Sequence, residues 1–100
     1  MQYSGKENGV AVLRLSGRFD FSTFRSFREL YEPILGDASV NTITLNFAAV
    51  EYLDSAALGM LLMLREKAEK AGKKVLLAEC QGSVRQLLDV ANFGRLFEIG

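Results

Sequence analysis

Strand-type and helix-type patterns alternate along this chain, and the alternation restricts it to a small set of folds. Segments of strand type occur at residues 10–15, 42–47, 73–78 and 96–99, and residues 2–4 are a possible short strand before them. After the second strand, apolar residues at helical spacing fill the intervals, from about 20 to 32, from 56 to about 71 and from 83 to about 92. The second to fifth strands therefore belong to successive strand–helix–strand units, which predict right-handed crossovers and parallel pairing.

The first two strands are the exception to parallel pairing. Asn8-Gly9 lies between them, and this dipeptide is a strong hairpin signal because both residues tolerate positive φ. We predict an α/β fold, a single domain over residues 1–100 with element order β-β-α-β-α-β-α-β. Its sheet is mixed but mostly parallel, with an antiparallel hairpin at the N-terminus.

Turn and cap residues set the predicted boundaries of these elements. Ser16 to Asp20 is predicted to be a loop, after which Asp20 or Ser22 caps the first helix. Pro33 disfavours the helical conformation of the residue before it, so this helix is expected to end or kink there. A second loop is predicted from Ala48 to Leu53, and Ser83 is the expected cap of the third helix.

Composition narrows the class of protein. The 100 residues are 49% apolar, enough for one modest core, and contain neither an eighteen-residue apolar run nor a signal-peptide pattern. Twelve basic and twelve acidic side chains cancel, which argues against nucleic-acid binding through a positive surface. We therefore expect no insertion into a membrane and no nucleic-acid partner.

Two residue types that carry much enzyme chemistry are scarce. There is no histidine, the commonest general base and zinc ligand, and Cys80 is the only cysteine. Cys80 follows an apolar run and is expected to be a small, semi-buried side chain rather than a nucleophile. The sequence thus predicts a cytosolic protein that is not an enzyme and needs no cofactor or metal.

Asp54-Ser55 marks the start of the central helix. Asp54 is the expected N-cap and Ser55 the first helical residue, with its hydroxyl at the positive end of the helix dipole, where a phosphate is well tolerated. The alternative is an ordinary helix cap with no further role. Asp20 and Asp54 both follow strands whose ends can share one edge of the sheet. Nothing in the sequence sets their separation, so an acid/base pair is not indicated.

The central helix, which Gly72 ends, has a second candidate surface. With an inward face of Ala57, Leu58, Leu61, Leu64 and Ala68, another face carries Ala56, Met60, Met63 and Lys67. Methionines beside small residues form an adaptable docking surface. The alternative is that this helix is buried on nearly all sides.

Three segments resemble one known family, the STAS domains of anti-sigma-factor antagonists. Leu53 to Gly59 is similar to the family motif Asp-Ser-Ser/Thr-Gly-Leu-Gly, and Gly17 to Asp20 to its Gly-x-Leu/Phe-Asp. Val84 to Leu88, followed by Leu96 to Ile99, resembles its C-terminal helix and last strand. The resemblance therefore covers nearly the whole chain in the right order.

The resemblance implies a role for each matching position. Ser55 takes the place of the family's phospho-acceptor, and Asp54 and Asp20 lie beside it. The partner is an anti-sigma factor that is also a serine protein kinase, and a separate serine phosphatase resets the switch. A bacterial, cytoplasmic home in transcription regulation follows from the family alone. The expected partner-binding residues are Asp20, Asp54, Ser55, Ala56, Gly59, Met60 and Met63.

Two positions depart from the motif, and two other functions stay open. Ala56 replaces the family's second Ser/Thr and Ala57 its following glycine, which leaves the acceptor in place but the signalling branch undefined. One alternative is a STAS accessory subunit of a lipid-transport ATPase or other membrane complex, with no phosphorylation. The other is a small ligand- or nucleotide-binding module at the same helix start. The oligomeric state is also left open.

Overall fold

Five strands form one sheet in the order in which they occur in the chain. The computed structural model describes all residues from Met1 to Gly100. The strands are β1 (Gln2–Glu7), β2 (Val10–Phe19), β3 (Thr42–Leu53), β4 (Lys74–Ala78) and β5 (Glu98–Ile99). The helices are α1 (Phe24–Leu35), α2 (Ser55–Lys70) and α3 (Gly82–Val90), with single 3-10 turns at Phe21–Thr23 and Phe93–Arg95.

The pairing confirms the predicted fold class. β1 pairs antiparallel with β2, and every other neighbouring pair is parallel. Asn8 and Gly9 both have positive φ, 52° and 82°, as the predicted hairpin turn requires. The element order is the one that the alternation of patterns predicted.

The core lies between one face of the sheet and the three helices. Strands in sequential order joined by right-handed crossovers put every helix on the same face. Alternate strand residues accordingly point into the core, among them Leu13, Leu45 and Leu77, which are at most 1% exposed. None of the helices combines the length and apolar character that crossing a membrane would require.

β2 and β3 are longer than predicted. The predictions of a loop from Ser16 to Asp20 and of another from Ala48 to Leu53 are wrong. Ser16 to Phe19 and Ala49 to Leu53 pair with each other in parallel, with register shifts that accommodate extra residues. Gly17 has a φ of +67°, which a residue with a side chain adopts at a cost. β4 pairs with β3 only as far as Asn46, so β2 and β3 continue beyond it as a two-stranded extension. The candidate site lies at the end of this extension.

Pro33 does not end α1, contrary to the sequence-based expectation. The helix runs through it to Leu35, with Phe27, Tyr31 and Ile34 buried along one face. Proline removes one backbone hydrogen bond, but Pro33 and Glu29, whose carbonyl loses its donor, are both exposed. Water can satisfy that carbonyl, and burial of Ile34 beyond the proline favours continuing the helix.

Two boundaries in the C-terminal third also differ from the prediction. Ser83 lies inside α3, whose N-cap is Gln81 without a side-chain hydrogen bond. Positive φ at Glu79 and Gly82 turns the chain early enough for the helix to begin before the serine. The last strand is shorter than expected. The chain leaves the 3-10 turn at Arg95, and Phe97 is buried in the core before pairing with β4 begins at Glu98.

Candidate functional site

The sheet register brings Asp20 and Asp54 side by side. Phe19 and Leu53 are register partners, and each aspartate is the next residue in its strand's direction. Neighbouring strands lie about 4.8 Å apart, so the two loops leave the same edge of the sheet next to each other. Side-chain alternation buries Phe19 and Leu53 and leaves both aspartates partly exposed.

Asp54 caps α2, and Ser55 is its first residue. The Asp54 carboxylate accepts a hydrogen bond from the Ala57 amide at 3.0 Å, the usual N-cap geometry. Its carbonyl oxygen accepts from the amides of Ala57 and Leu58, at 3.1 and 3.3 Å. Ser55 is exposed, and its position at the helix N-terminus places its hydroxyl where the dipole favours negative charge.

Asp20 organises the turn before α1 rather than the helix itself. Its Oδ1 accepts from the Ser22 amide at 3.0 Å and from the Ser22 hydroxyl at 2.5 Å. The Thr23 hydroxyl accepts from the Asp20 amide at 3.2 Å, which completes a capping box. The Ser22 hydroxyl above all, and then Arg18, lower the pKa of Asp20, so its carboxylate is ionised at neutral pH.

A cation and an aromatic ring lie just below this edge. The Arg18 guanidinium is 4.3 Å from the centre of the Tyr52 ring, and its Nε is 3.3 Å from Asp20 Oδ2. Arg18 and Tyr52 are register partners in the extension, and both are exposed. The edge therefore presents two carboxylates, a serine hydroxyl, a guanidinium and an aromatic face. The sequence analysis missed Arg18 and Tyr52 because it assigned both to loops.

Met60 does not belong to an outer face of α2, and its assignment to the docking surface is wrong. Its side chain is only 5% exposed and belongs to the core. The reason is the central position of α2, with Lys67 near Tyr31 of α1 on one side and Arg65 bonded to the Leu96 carbonyl on the other. The sheet, α1 and the segment around Leu96 together cover a broader arc of α2 than the predicted inward face implies.

The outward side of α2 is nevertheless apolar near its start. Met63 is 42% exposed and Leu62, which the sequence analysis did not select, is 39% exposed. Gly59 is exposed one turn after Ser55, and Ala56 is half-buried. Residues four and seven or eight positions apart share a helix face. We call Ser55, Gly59, Leu62 and Met63 the outer strip.

Gly59 has no structural reason to be glycine. It is inside a helix, and a Cβ added there would meet no atom within 4 Å. Glycine in a helix interior costs about 1 kcal/mol relative to alanine. The absence of a side chain therefore leaves a shallow place in the outer strip where another molecule can approach the helix backbone closely.

Replacing Gly59 with alanine is expected to stabilise the fold. A Gly59→Ala chain should gain about 0.5–1 kcal/mol in the free energy of unfolding, because alanine restricts the unfolded chain without a clash in the folded one. Gly72→Ala is the matched control and should lose stability, because Gly72 has a φ of +72° at the end of α2. Urea denaturation of both variants measures the effects, and a loss of stability in Gly59→Ala would contradict the interpretation.

Cys80 contributes no reactive group. It is 8% exposed, and burial raises the pKa of its thiol to about 11, so the thiol is protonated at neutral pH. No group of three or more histidine, cysteine, aspartate or glutamate side chains is arranged to hold a metal ion. The polar groups at the Asp54-Ser55 edge are the Ser55 hydroxyl, the carboxylates of Asp20 and Asp54 and the Arg18 guanidinium.

Comparison with known proteins identifies the family. Residues 5–100 match the STAS domain family. A STAS-domain containing protein of Pseudomonas aeruginosa is 40% identical over 88 residues, which span 88% of this chain and 85% of that protein. The anti-sigma F factor antagonist of Paenibacillus polymyxa is 24% identical, over 91% of this chain and 78% of its own length. The chain belongs to the STAS domain family.

Solved structures share the fold. TM1081 of Thermotoga maritima superposes with a TM-score of 0.84 at 21% identity, covering 97% of this chain and 82% of that one. SpoIIAA, a Bacillus cell fate determinant solved in its phosphorylated form, superposes with a TM-score of 0.74 at 20% identity, covering 99% and 89%. The five-stranded mixed sheet with three helices is thus the STAS fold predicted from the sequence.

Proposed function

We propose that this chain is an anti-sigma-factor antagonist whose binding to its anti-sigma factor is ended by phosphorylation of Ser55. The observation that carries the proposal is the exposure of Ser55 at the first position of α2, directly after the Asp54 cap and at the start of the outer strip. The kinship with an anti-sigma F factor antagonist supports the partner class. That SpoIIAA has been solved in a phosphorylated form supports the modification.

A phosphate on Ser55 is compatible with the fold. A phosphoserine carries about −1.5 to −2 charges at neutral pH, and the first turn of a helix favours negative charge. The Asp54 side chain accepts a hydrogen bond from the Ala57 amide. The first-turn amides that precede Ala57 remain free to donate to the phosphate. The domain is expected to keep its structure when it is modified.

The same phosphate is poorly compatible with a bound partner. Asp20 and Asp54 already place two carboxylates at this edge, and the Arg18 guanidinium offsets only one of them, so the added phosphate leaves the edge strongly negative. A partner surface built for a neutral hydroxyl between apolar side chains then has to bury unpaired charge. Such a cost at the centre of an interface amounts to several kcal/mol, which lowers affinity by orders of magnitude.

The proposal extends to the rest of the cycle. The anti-sigma factor is also the serine kinase, a separate phosphatase restores the hydroxyl, and the chain itself acts by binding in the cytoplasm without catalysis or a cofactor. Asp20, Asp54, Ala56, Gly59 and Met63 are the contact residues around Ser55. Met60 is excluded from this set by its burial.

A second function is favoured by one observation. Exposed Leu62 and Met63 also suit permanent docking to a membrane complex, such as a lipid-transport ATPase, in which Ser55 is never phosphorylated. Stable co-purification with an ATPase that does not depend on the state of Ser55 would favour this function.

Intact mass and site mapping of the protein from its native cells test the proposal directly. A phosphate on Ser55 is expected, with no phosphate on a Ser55→Ala chain expressed in the same cells. Ser26→Ala is the control, since Ser26 is also an exposed serine but lies on α1. If Ser55 stays unmodified under all growth conditions in which the anti-sigma factor is present, the switch proposed here is wrong.

A further inference from the structure

Phe21 is an aromatic side chain with almost no role in the core. It is 77% exposed, more than any other large apolar residue of the chain. The neighbouring core aromatics are Phe19 and Phe27, whose rings meet at 5.0 Å in an edge-to-face contact. Packing therefore gives no reason for an aromatic residue at position 21, and a free Phe ring in water is unfavourable.

The turn that carries Phe21 is held firmly. Asp20 and Thr23 flank Phe21 in the chain, and the Thr23 hydroxyl accepts from the Asp20 amide and donates to the Asp20 carbonyl. The Ser22 amide and hydroxyl both donate to the Asp20 carboxylate. A phenylalanine has only two side-chain torsions to order on binding, and its backbone is already ordered here. The ring is thus presented at low entropic cost to a binding partner.

The position of Phe21 makes it continuous with the proposed phosphorylation surface. Phe21 directly follows Asp20, and Ser55 directly follows Asp54. The register places Asp20 and Asp54 beside each other. The exposed Phe21 therefore lies in the turn next to the one that carries the hydroxyl, and the rest of the outer strip follows the hydroxyl along α2. Buried aromatic residues near the middle of an interface contribute most of the binding energy, while the surrounding contacts exclude water.

We propose that Phe21 is the anchor by which this chain binds its anti-sigma factor, inserting its ring into an apolar pocket of that protein. This inference rests on the proposed function. The rim of the pocket carries at least one basic group, because Asp54 lies at the same edge without an ion pair and needs a positive partner once water is excluded, whereas Asp20 already pairs with Arg18. Phe21 thus supplies affinity, and Ser55 supplies control.

Isothermal titration calorimetry with the purified anti-sigma factor of the same organism tests the inference. Phe21→Ala is expected to raise the Kd about 30-fold or more, as truncating an anchor does. Val90→Ala is the matched control, since Val90 is 74% exposed but lies at the end of α3, at the opposite edge of the sheet from Ser55. It should change the Kd less than about 2-fold. Thermal unfolding of both variants should match the wild type, because neither side chain is buried.

Ser55→Asp in the same titrations separates this inference from the proposed function. If Ser55→Asp abolishes binding and Phe21→Ala binds like the wild type, the anchor is wrong and the switch stands. If Phe21→Ala loses affinity and Ser55→Asp does not, the anchor stands and the switch is wrong. Equal losses in Phe21→Ala and Val90→Ala would overturn the anchor as a specific contact, and no binding by the wild type would overturn both.

Discussion

A Ser55→Asp chain is expected to lose at least about 100-fold in affinity for the anti-sigma factor while it stays folded. The carboxylate adds charge at a position that already has Asp20 and Asp54 as neighbours. About 2.7 kcal/mol corresponds to a 100-fold change in Kd, and burying one unpaired charge in an interface exceeds that figure. The fold tolerates the change because the first turn of α2 favours an acidic residue.

Two comparisons make this result interpretable. Ser55→Ala removes the hydroxyl without adding charge, so it should bind the anti-sigma factor within a few-fold of the wild type and stay bound in the presence of ATP. Ser26→Asp adds the same charge to an exposed serine of α1 and should have little effect. Titration calorimetry gives the affinities, and circular dichroism checks the fold. Equal affinity of Ser55→Asp and the wild type would contradict the electrostatic switch.

The fold was predictable because its signals are local. Strand and helix periods, Asn8-Gly9 and the cap at Asp54 each lie within a few residues of the feature that they determine. The length of β2 and β3 was not predictable in this way. Ser16 to Asp20 has the composition of a loop, and its first four residues become strand only because Ala49 to Leu53 pairs with them. Such pairing depends on residues more than thirty positions apart.

In the candidate site too, features set by local sequence were predictable and features set by tertiary packing were not. Asp54 and Ser55 could be placed from the sequence because capping is decided within one helical turn. The exposure of Met60 and Leu62 could not, since it depends on how far the neighbouring elements cover α2. Met60 was predicted to be on an outer face and is buried, and Leu62, which was assigned to neither face, is exposed. Phe21 was passed over because sequence periodicity near a helix start does not tell an inward aromatic residue from an outward one.

Lys73 makes long-range hydrogen bonds that the sequence pattern does not predict either. It is 8% exposed, although its neighbour Lys74 is exposed and pairs with Glu98 at 3.4 Å. The Lys73 ammonium donates to the backbone carbonyls of Asp37 and Val40, at 2.7 and 2.6 Å. It therefore fastens the connection that follows α1 to the start of β4. Of two adjacent lysines, one is therefore buried and bonded to backbone carbonyls, and the other is exposed in a surface ion pair.

Lys73→Met is expected to destabilise the domain by about 2–3 kcal/mol and to lower its Tm by about 10 °C or more. Methionine keeps most of the apolar stem but leaves the Val40 carbonyl without a donor, and an unsatisfied buried polar group costs about 1–3 kcal/mol. The Asp37 carbonyl also loses the ammonium but keeps the Val40 amide as a donor, so its loss is smaller, and removing a buried charge recovers part of the total.

Lys74→Met provides the comparison, because it removes an exposed ion pair worth at most about 1 kcal/mol. Urea denaturation of both variants gives the two changes in free energy of unfolding. Equal changes would show that the Val40 carbonyl finds another donor without Lys73. A large loss in Lys73→Met alone would mean that the buried ammonium adds substantially to the backbone hydrogen bonds that hold this end of the sheet. The fold would then be fastened at the edge opposite Ser55, which leaves the edge that carries the proposed switch free to bind a partner.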